Sequence, residues 1–291
     1  MTLYNGKRDA IKPGILYVVA TPIGNLEDIT LRALRVLKEV DMIAAEDTRK
    51  TLKLLNHYGI RKRLVSLYGD VEKGRAPQIV KEIENGTQAA VVSEAGTPGA
   101  SDPGGILVRM ALESGVRVVP VPGASAVSSA VSAAGINTSR FVFEGFLPRK
   151  VSKKLERLAK LKNDDRAIIL FESPNRIHDT LKEMFNEMGD RKVVIFRELT
   201  KIHEKIECTT LKAAACGEIL LPQKGEYTII VEGLTKKDKG VEDDDKVHRY
   251  IKVFLARGYS VREAAEVISL LLDLPKNKIY RKALLIKNLN N

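Results

Sequence analysis

Two loops rich in glycine and proline hold the residues best suited to chemistry. The first, Thr21-Pro22-Ile23-Gly24-Asn25-Leu26, follows an apolar run at residues 15–20. The second, Ser93-Glu94-Ala95-Gly96-Thr97-Pro98, follows the apolar run at 89–92 and continues into Ser101-Asp102-Pro103-Gly104. A buried strand that ends abruptly in Gly and Pro leaves backbone donors and acceptors free at its carboxyl end, where open α/β sheets bind ligands. Such loops suit a small polar ligand. Neither common nucleotide fingerprint is present: the chain has no G-x-G-x-x-G and no G-x-x-x-x-G-K-[ST].

The elements that must position these loops alternate along the chain. Strands are expected at residues 15–20, 42–45, 64–67, 89–93 and 116–121. Between them the periodicity predicts helices: one with Leu31, Leu34, Leu37 and Val40 on one face, capped by Asp28 or Thr30, and one with Leu52, Leu55 and Tyr58, stopped by Gly59. Further helices carry Ile79, Val80 and Ile83, then residues 106–113, then a run of small residues up to 134. Alternation of this kind implies parallel βαβ units. Residues 135–139 form a seam. A second α/β region follows, with strands at 141–146, 168–171, 193–196 and 227–231 and a mixed sheet expected. The boundaries read 1–135, 136–234, a charged linker at 235–246, and a helix-turn-helix-like bundle at 247–291. In that bundle Val247, Ile251, Phe254 and Leu255 form one face, Ala264, Val267, Ile268 and Leu271 the next, and Ile279, Leu284 and Leu285 the last, with Ser260 as a cap.

Composition narrows the class. The 291 residues are 44% hydrophobic with no Trp and 5% aromatic, so the cores must be aliphatic. A formal charge of +11 favours a polyanionic partner. Cys208 and Cys216 match no zinc or redox spacing, and His57, His178, His203 and His248 are scattered, so no metal is expected. Residues 1–14 lack the apolar core of a signal peptide and no run reaches the length of a membrane span, which points to a cytoplasmic protein.

Several blocks carry a resemblance. Besides the two loops they are Ala45-Glu46-Asp47-Thr48-Arg49, Pro122-Gly123-Ala124-Ser125-Ala126, Glu144-Gly145-Phe146-Leu147-Pro148, Phe171-Glu172-Ser173-Pro174, Arg197-Glu198-Leu199-Thr200-Lys201 and Lys224-Gly225-Glu226. In type and order they resemble the ribosomal RNA ribose 2′-O-methyltransferases that share the tetrapyrrole methylase fold. The resemblance implies two α/β domains of that type, S-adenosylmethionine bound in the cleft between them, a homodimer, and methylation of a cytidine ribose in the decoding region of 16S ribosomal RNA, within the small subunit. A tetrapyrrole methylase of corrin or sirohaem synthesis and a non-catalytic RNA-binding assembly factor are the alternatives.

Carried onto this chain, the resemblance makes Pro22, Gly24, Glu94, Gly96, Thr97, Pro98, Gly123 and Ser125 the cofactor-binding candidates. Glycine lets backbone approach a ligand closely, and Ser125 stands where a helix begins and free amides can hold a carboxylate. Removal of the ribose proton calls for a base. Glu46 and Asp47, at a strand end beside the cleft, are the candidates, with Arg49 to neutralise phosphate or fix a carboxylate; Asp47 or Glu46 could equally cap the next helix. Glu198 and Glu204 are second choices, and Asp102 reads as a turn residue. Arg149, Lys150, Lys153, Lys154 and Arg157, in a stretch at 149–162 whose only acid is Glu156, are the RNA-binding candidates. Three departures stand out: Glu94 where the family usually has Asp, one proline fewer in the Pro122 block, and Leu67-Tyr68-Gly69-Asp70-Val71-Glu72-Lys73 where the family commonly places a His-Asn-Glu cluster. Either Asp70 or Glu72 takes over the part of that cluster, or target or activity differs.

Overall fold

The computed structural model describes residues 14–289 apart from Ala100, Thr235 and Asp273, and without the side chains of Asp70, residues 236–245 and residues 288–289. These residues form two compact units, residues 14–162 with 166–232 and residues 163–165 with 233–289.

The first unit holds two five-stranded sheets. Strands β1 (Ile15–Val19), β2 (Met42–Ala45), β3 (Arg63–Ser66), β4 (Ala89–Val92) and β5 (Arg117–Val121) make an all-parallel sheet in the order β3-β2-β4-β1-β5. Its crossovers are α1 (Leu31–Glu39), α2 (Thr48–His57), α3 (Gly69–Glu84) and α4 (Gly105–Glu113). Strands covered on both faces must be apolar at every position, and Met-Ile-Ala-Ala in β2 and Ala-Ala-Val-Val in β4 are buried throughout. One face packs on α3 and α4 through Leu16, Ile79, Ile83 and Leu107; the other packs on α1 and α2 through Val19, Leu37, Ile43 and Leu55. Thr30 caps α1, accepting from the Ala33 N–H at 3.0 Å.

The second sheet runs β6-β7-β10-β8-β9, with β6 (Phe141–Phe146) parallel to β7 (Ala167–Glu172) and β10 (Tyr227–Val231), β8 (Lys192–Arg197) and β9 (Lys205–Thr210) joined antiparallel, so it is mixed. Helices α6 (Val151–Leu161), α7 (Ile177–Met188) and α8 (Leu211–Ala215) cover one face. Helix α5 (Ala126–Ala133) covers the other: Ala130 and Ala134 pack on Ile169, Val194, Phe196 and Ile230. The small residues that follow Ser125 therefore couple the last loop of the first sheet directly to the second sheet. Strand β9 and helix α8 have no counterpart in the periodicity. Edge strand β9 is mostly polar and partly exposed, so it carries no apolar alternation to find.

The second unit packs α9 (Lys236–Ala256), α10 (Val261–Leu272) and α11 (Lys276–Leu289) around Val247, Ile251, Ala264, Ile268, Ile279, Ala283 and Ile286. Here the charge-dense stretch read as a linker is the first half of α9. Charge density does not oppose helix, because Lys and Glu are good helix formers. Leu271, Leu284 and Leu285 are exposed, while Ala283 and Ile286 turn inward, so the buried stripe of α11 lies to one side of the expected one. Ser260 and Glu263 form a reciprocal capping box at the start of α10, at 2.8 and 3.2 Å. Among the described residues, no helix is long and apolar enough to cross a membrane.

Candidate active site

The loops after β1 and β4 meet because β1 and β4 are neighbours in the sheet. A bridge zips them together: the Thr21 N–H donates to the Gly96 carbonyl at 2.8 Å and the Gly96 N–H to the Thr21 carbonyl at 3.0 Å. Gly96 has φ +79°, and a Cβ there would stand 3.2 Å from Ile23 Cγ2. The loop after β5 joins them, with the Thr97 hydroxyl donating to the Ala124 carbonyl at 3.3 Å and Ser125 capping α5 by accepting from the Ser128 N–H at 3.5 Å. The buried Thr21 hydroxyl has no hydrogen-bond partner among the described residues.

Three carboxylates stand on this wall. Glu46 Oε2, at the end of β2, accepts from the Glu94 N–H at 2.9 Å. Glu94 in turn pairs with Lys50. Asp102 is half-buried beside them. Burial pushes its carboxyl up to about 6; the charge of Glu46 adds to the rise, a hydrogen bond with Ser93 opposes it, and Glu94 adds further. A neighbouring buried carboxylate, Glu72, fixes the loop that carries Asp102. Its Oε1 accepts from the N–H groups of Gly104 (3.1 Å), Ile106 (2.9 Å) and Leu107 (3.0 Å), capping α4, which has no cap residue of its own.

The opposite wall comes from the second sheet: Phe146 at the end of β6, Phe171 and Glu172 at the end of β7, Ser173 and Pro174, Leu199, and Gly225 to Thr228 at the start of β10. The cleft between the walls has a volume of about 380 Å³, within the range of small-ligand pockets. A turn ties its rim. The Asn25 N–H donates to the Thr200 hydroxyl at 3.2 Å, and Lys201 Nζ bridges Glu198 Oε1 at 2.8 Å and Glu226 Oε2 at 2.9 Å. Glu198 and Thr200 both take positive φ, +55° and +66°, to make this turn.

Of the cofactor candidates, Glu94, Gly96, Thr97 and Ser125 line the cleft, together with Glu46. Pro22 and Gly24 line a second hollow of about 250 Å³ beside it, which Glu94 also borders along with Lys50 and Lys53. Pro98 and Gly123 line neither. Gly123 is small for packing, since a Cβ there would lie 3.0 Å from the Ala20 Cβ.

Asp47 and Arg49 also line neither. Asp47 is the cap of α2, accepting from the N–H groups of Arg49 (2.8 Å) and Lys50 (3.2 Å), and these bonds hold its carboxyl below the ordinary value. The Arg49 side chain is 90% exposed, 3.7 Å from Asp47. Glu198 is held by Lys201 and by the Glu226 N–H (2.9 Å), which outweigh its burial and keep its carboxyl below the ordinary value. Glu204 accepts from the Thr200 N–H at 2.6 Å. Glu72, one of the two residues offered in place of the His-Asn-Glu cluster, is engaged as the α4 cap. The Asp70 side chain lies outside the described residues.

The basic helix divides. Arg149, Lys150 and Lys153 are exposed. Lys154 is a correction to the expected RNA-facing set: its side chain is 5% exposed, with Nζ 2.5 Å from Glu183 Oε2 in an ion-pair contact. It lies one turn before Leu158, on the face of α6 that packs into the core, and no residue-type signal separates it from Lys153. Arg157 makes a bidentate pair with Glu144, at 2.6 and 2.8 Å. The residues that sequence reasoning passed over are Asp102, Phe146, Phe171, Glu172 and Tyr227. Asp102 was legible only as a turn former before Pro103, and its partial burial and carboxylate neighbours come from long-range packing.

The family described as Tetrapyrrole (Corrin/Porphyrin) Methylases matches residues 15–215. A Haemophilus influenzae protein named Ribosomal RNA small subunit methyltransferase I is 43% identical over 271 residues, covering 92% of this chain and 95% of that one. Its namesake in Escherichia coli O157:H7 is 41% identical over 279 residues, covering 93% and 95%. Among solved structures, a diphthine synthase superposes with a TM-score of 0.58 at 14% identity, covering 75% of this chain and 90% of its own. Uroporphyrin-III C-methyl transferase from Thermus thermophilus, complexed with S-adenyl homocysteine, superposes at 0.53 with 19% identity, covering 75% and 97%. These structural likenesses concern the fold.

Proposed function

The chain belongs to the tetrapyrrole (corrin/porphyrin) methylase family, and we propose that it is an S-adenosylmethionine-dependent methyltransferase of 16S ribosomal RNA. The target is the 2′-hydroxyl of a cytidine ribose in the decoding region, within the small subunit, and the working form is a cytoplasmic homodimer. The observation that carries the RNA substrate is the similarity to the small subunit methyltransferases, which runs over more than nine-tenths of both chains.

The residues present fit the cofactor. The glycine-bearing loops offer backbone groups at close range, the Thr21 hydroxyl is buried and unpaired, and Ser125 opens a helix whose first amides suit a carboxylate. Gly96, Thr97 and Ser125 would hold it, and the carboxylates of Glu46, Glu94 and Asp102 favour a ligand with a positive centre. When bound, the cofactor supplies an electrophilic methyl on a sulfonium, a good leaving group. The two walls align the ribose oxygen and exclude water. Asp102 takes the hydroxyl proton on its carboxylate, because it is the cleft carboxyl raised toward neutral pH and therefore the best matched to a base at physiological pH. Glu46 supports it by charge.

The exposed cations Arg149, Lys150 and Lys153 favour a long polyanion over a tetrapyrrole, a small ligand that needs no such track. The cleft is lined by carboxylates from both walls, Glu46, Glu94 and Asp102 on one and Glu172 and Glu226 on the other. The test is incubation with methyl-labelled S-adenosylmethionine and unmodified small subunits, with naked 16S RNA alongside, and mapping of the label by mass. Label on one cytidine ribose is expected. Cofactor binding without transfer to either RNA overturns the reading.

A further inference from the structure

Phe146 is 58% exposed although it lines the cleft. Its position is built. Phe143 and Phe146 are three residues apart, so a regular strand would send them to opposite faces. A bulge between Phe143 and Gly145 shifts the register of β6 against β7, with Gly145 at φ +62°. Both rings consequently reach Phe171, at centroid distances of 5.0 Å for Phe143 and 5.7 Å for Phe146. The segment that follows is pinned from beneath. Arg176 donates to the carbonyls of Leu147 (2.9 Å) and Pro148 (3.3 Å) and lies 3.4 Å from the buried Glu172 carboxylate. Beyond Pro148 come Arg149, Lys150 and Lys153, exposed cations with no acidic partner among the described residues.

We propose that Phe146, backed by Phe171, is the platform on which the base of the target nucleotide stacks when it is turned out of its neighbours into the cleft. This deepens the RNA reading above and rests on it. Nucleotides in RNA are gripped when their bases are splayed out and stacked on aromatic rings, and a row of cations tracks the backbone alongside. The arrangement provides both in order: a ring at the mouth, across the cleft from Asp102, and cations leading outward along the start of α6. Phe171 contacts both Phe143 and Phe146, and of the three rings Phe146 is the exposed one, left to receive a base.

The test uses the full chain and a single-stranded RNA oligonucleotide carrying one fluorescent cytidine analogue that is quenched by stacking. The wild-type protein is expected to quench it. Phe146→Ala loses the quenching and weakens binding roughly fivefold to a hundredfold, with the same increase in the KM for small subunits. Phe146→Trp restores both. Thermal unfolding of Phe146→Ala stays close to wild type, because the ring is largely exposed. Unchanged quenching and KM in Phe146→Ala overturn the proposal. So does a shift of that variant from dimer to monomer in sedimentation, which makes the ring a contact between copies of this chain. If the wild type transfers no methyl group to any RNA, the functional reading falls, and quenching by Phe146 still decides whether the platform exists.

Discussion

On the first sheet's side of the cleft, Glu46, Glu94 and Asp102 crowd together on loops held by backbone bonds, and Asp102 is raised to about 6. On the second sheet's side, aromatic rings lead into a row of cations, and charge that goes inward is neutralised in pairs, Lys154 with Glu183 and Arg176 with Glu172. The difference separates two tasks. Burial, with carboxylate neighbours adding to it, raises a proton affinity, which serves proton transfer. Charges paired beneath a surface fix its shape, and those left exposed above it meet a polyanion. On the proposed reading, the N-terminal half serves the chemistry and the other half grips the substrate.

The largest expected effect breaks the first side. Asp102→Asn is expected to lower kcat by about 10²- to 10⁴-fold, the usual worth of a positioned base. In the wild type, kcat rises through pH about 6 as Asp102 loses its proton; in the variant that rise is absent. Stability carries the opposite sign. Since the folded state raises this carboxyl from 3.8, its contribution is fully present below pH 3.8 and is lost as pH passes about 6. The variant, which stays neutral, is therefore expected to unfold at the same or a higher temperature than wild type at pH 8. A kcat pH profile and a melt on the same samples check both, and an inactive variant that also unfolds early would refute the base assignment.

The next effect sharpens the second side. Lys153→Ala and Lys154→Ala change neighbouring residues of the same type on one helix. Removing Lys154 strands Glu183, whose side chain is 19% exposed, and is expected to cost about 3 kcal/mol, or roughly 6–12 °C in Tm. Removing Lys153 leaves Tm unchanged. A smaller loss is expected from Glu72→Gln, about 1–2 kcal/mol, because the amide oxygen can still accept from the three N–H groups at the start of α4 with less than a carboxylate's strength. If Glu72 acts on Asp102 only by holding its loop, kcat falls in this variant while the pH of its rise stays in place.

Much of the fold was legible because local signals and tertiary structure agree. Continuous apolar runs mark the buried strands, Thr30 and Ser260 cap the helices they precede, and Gly59 takes φ +65° where α2 must stop. The failures occur where a residue's meaning is set from elsewhere in the chain. Asp47 is not one of them: the helix cap was one of its two readings from sequence, and the local bonds it accepts from Arg49 and Lys50 select it. Asp102 next to Pro103 reads as a turn until Glu46 and Glu94 are brought beside it. Phe146 reads as strand interior until the bulge at Gly145 turns it to the cleft. Lys154 differs from Lys153 only in the angle at which α6 meets its sheet.

The smallest effects test whether the outward cations meet RNA phosphates at all. Arg149, Lys150 and Lys153 are exposed, so truncating each to Ala should leave the fold untouched and act through counterion release alone. Each phosphate contact with a single strand contributes about 0.7 to the slope of log K against log salt. Replacing the three together is expected to reduce that slope by about 2, with binding weakened evenly across RNA sequences and with stacking on Phe146 intact at saturating RNA. Arg157→Ala provides the contrast. Its guanidinium is already held by both Glu144 oxygens, so the variant should leave the slope in place. A triple variant with an unchanged slope would move the polyanion to a different face of the protein and leave the two walls of the cleft without their division of labour.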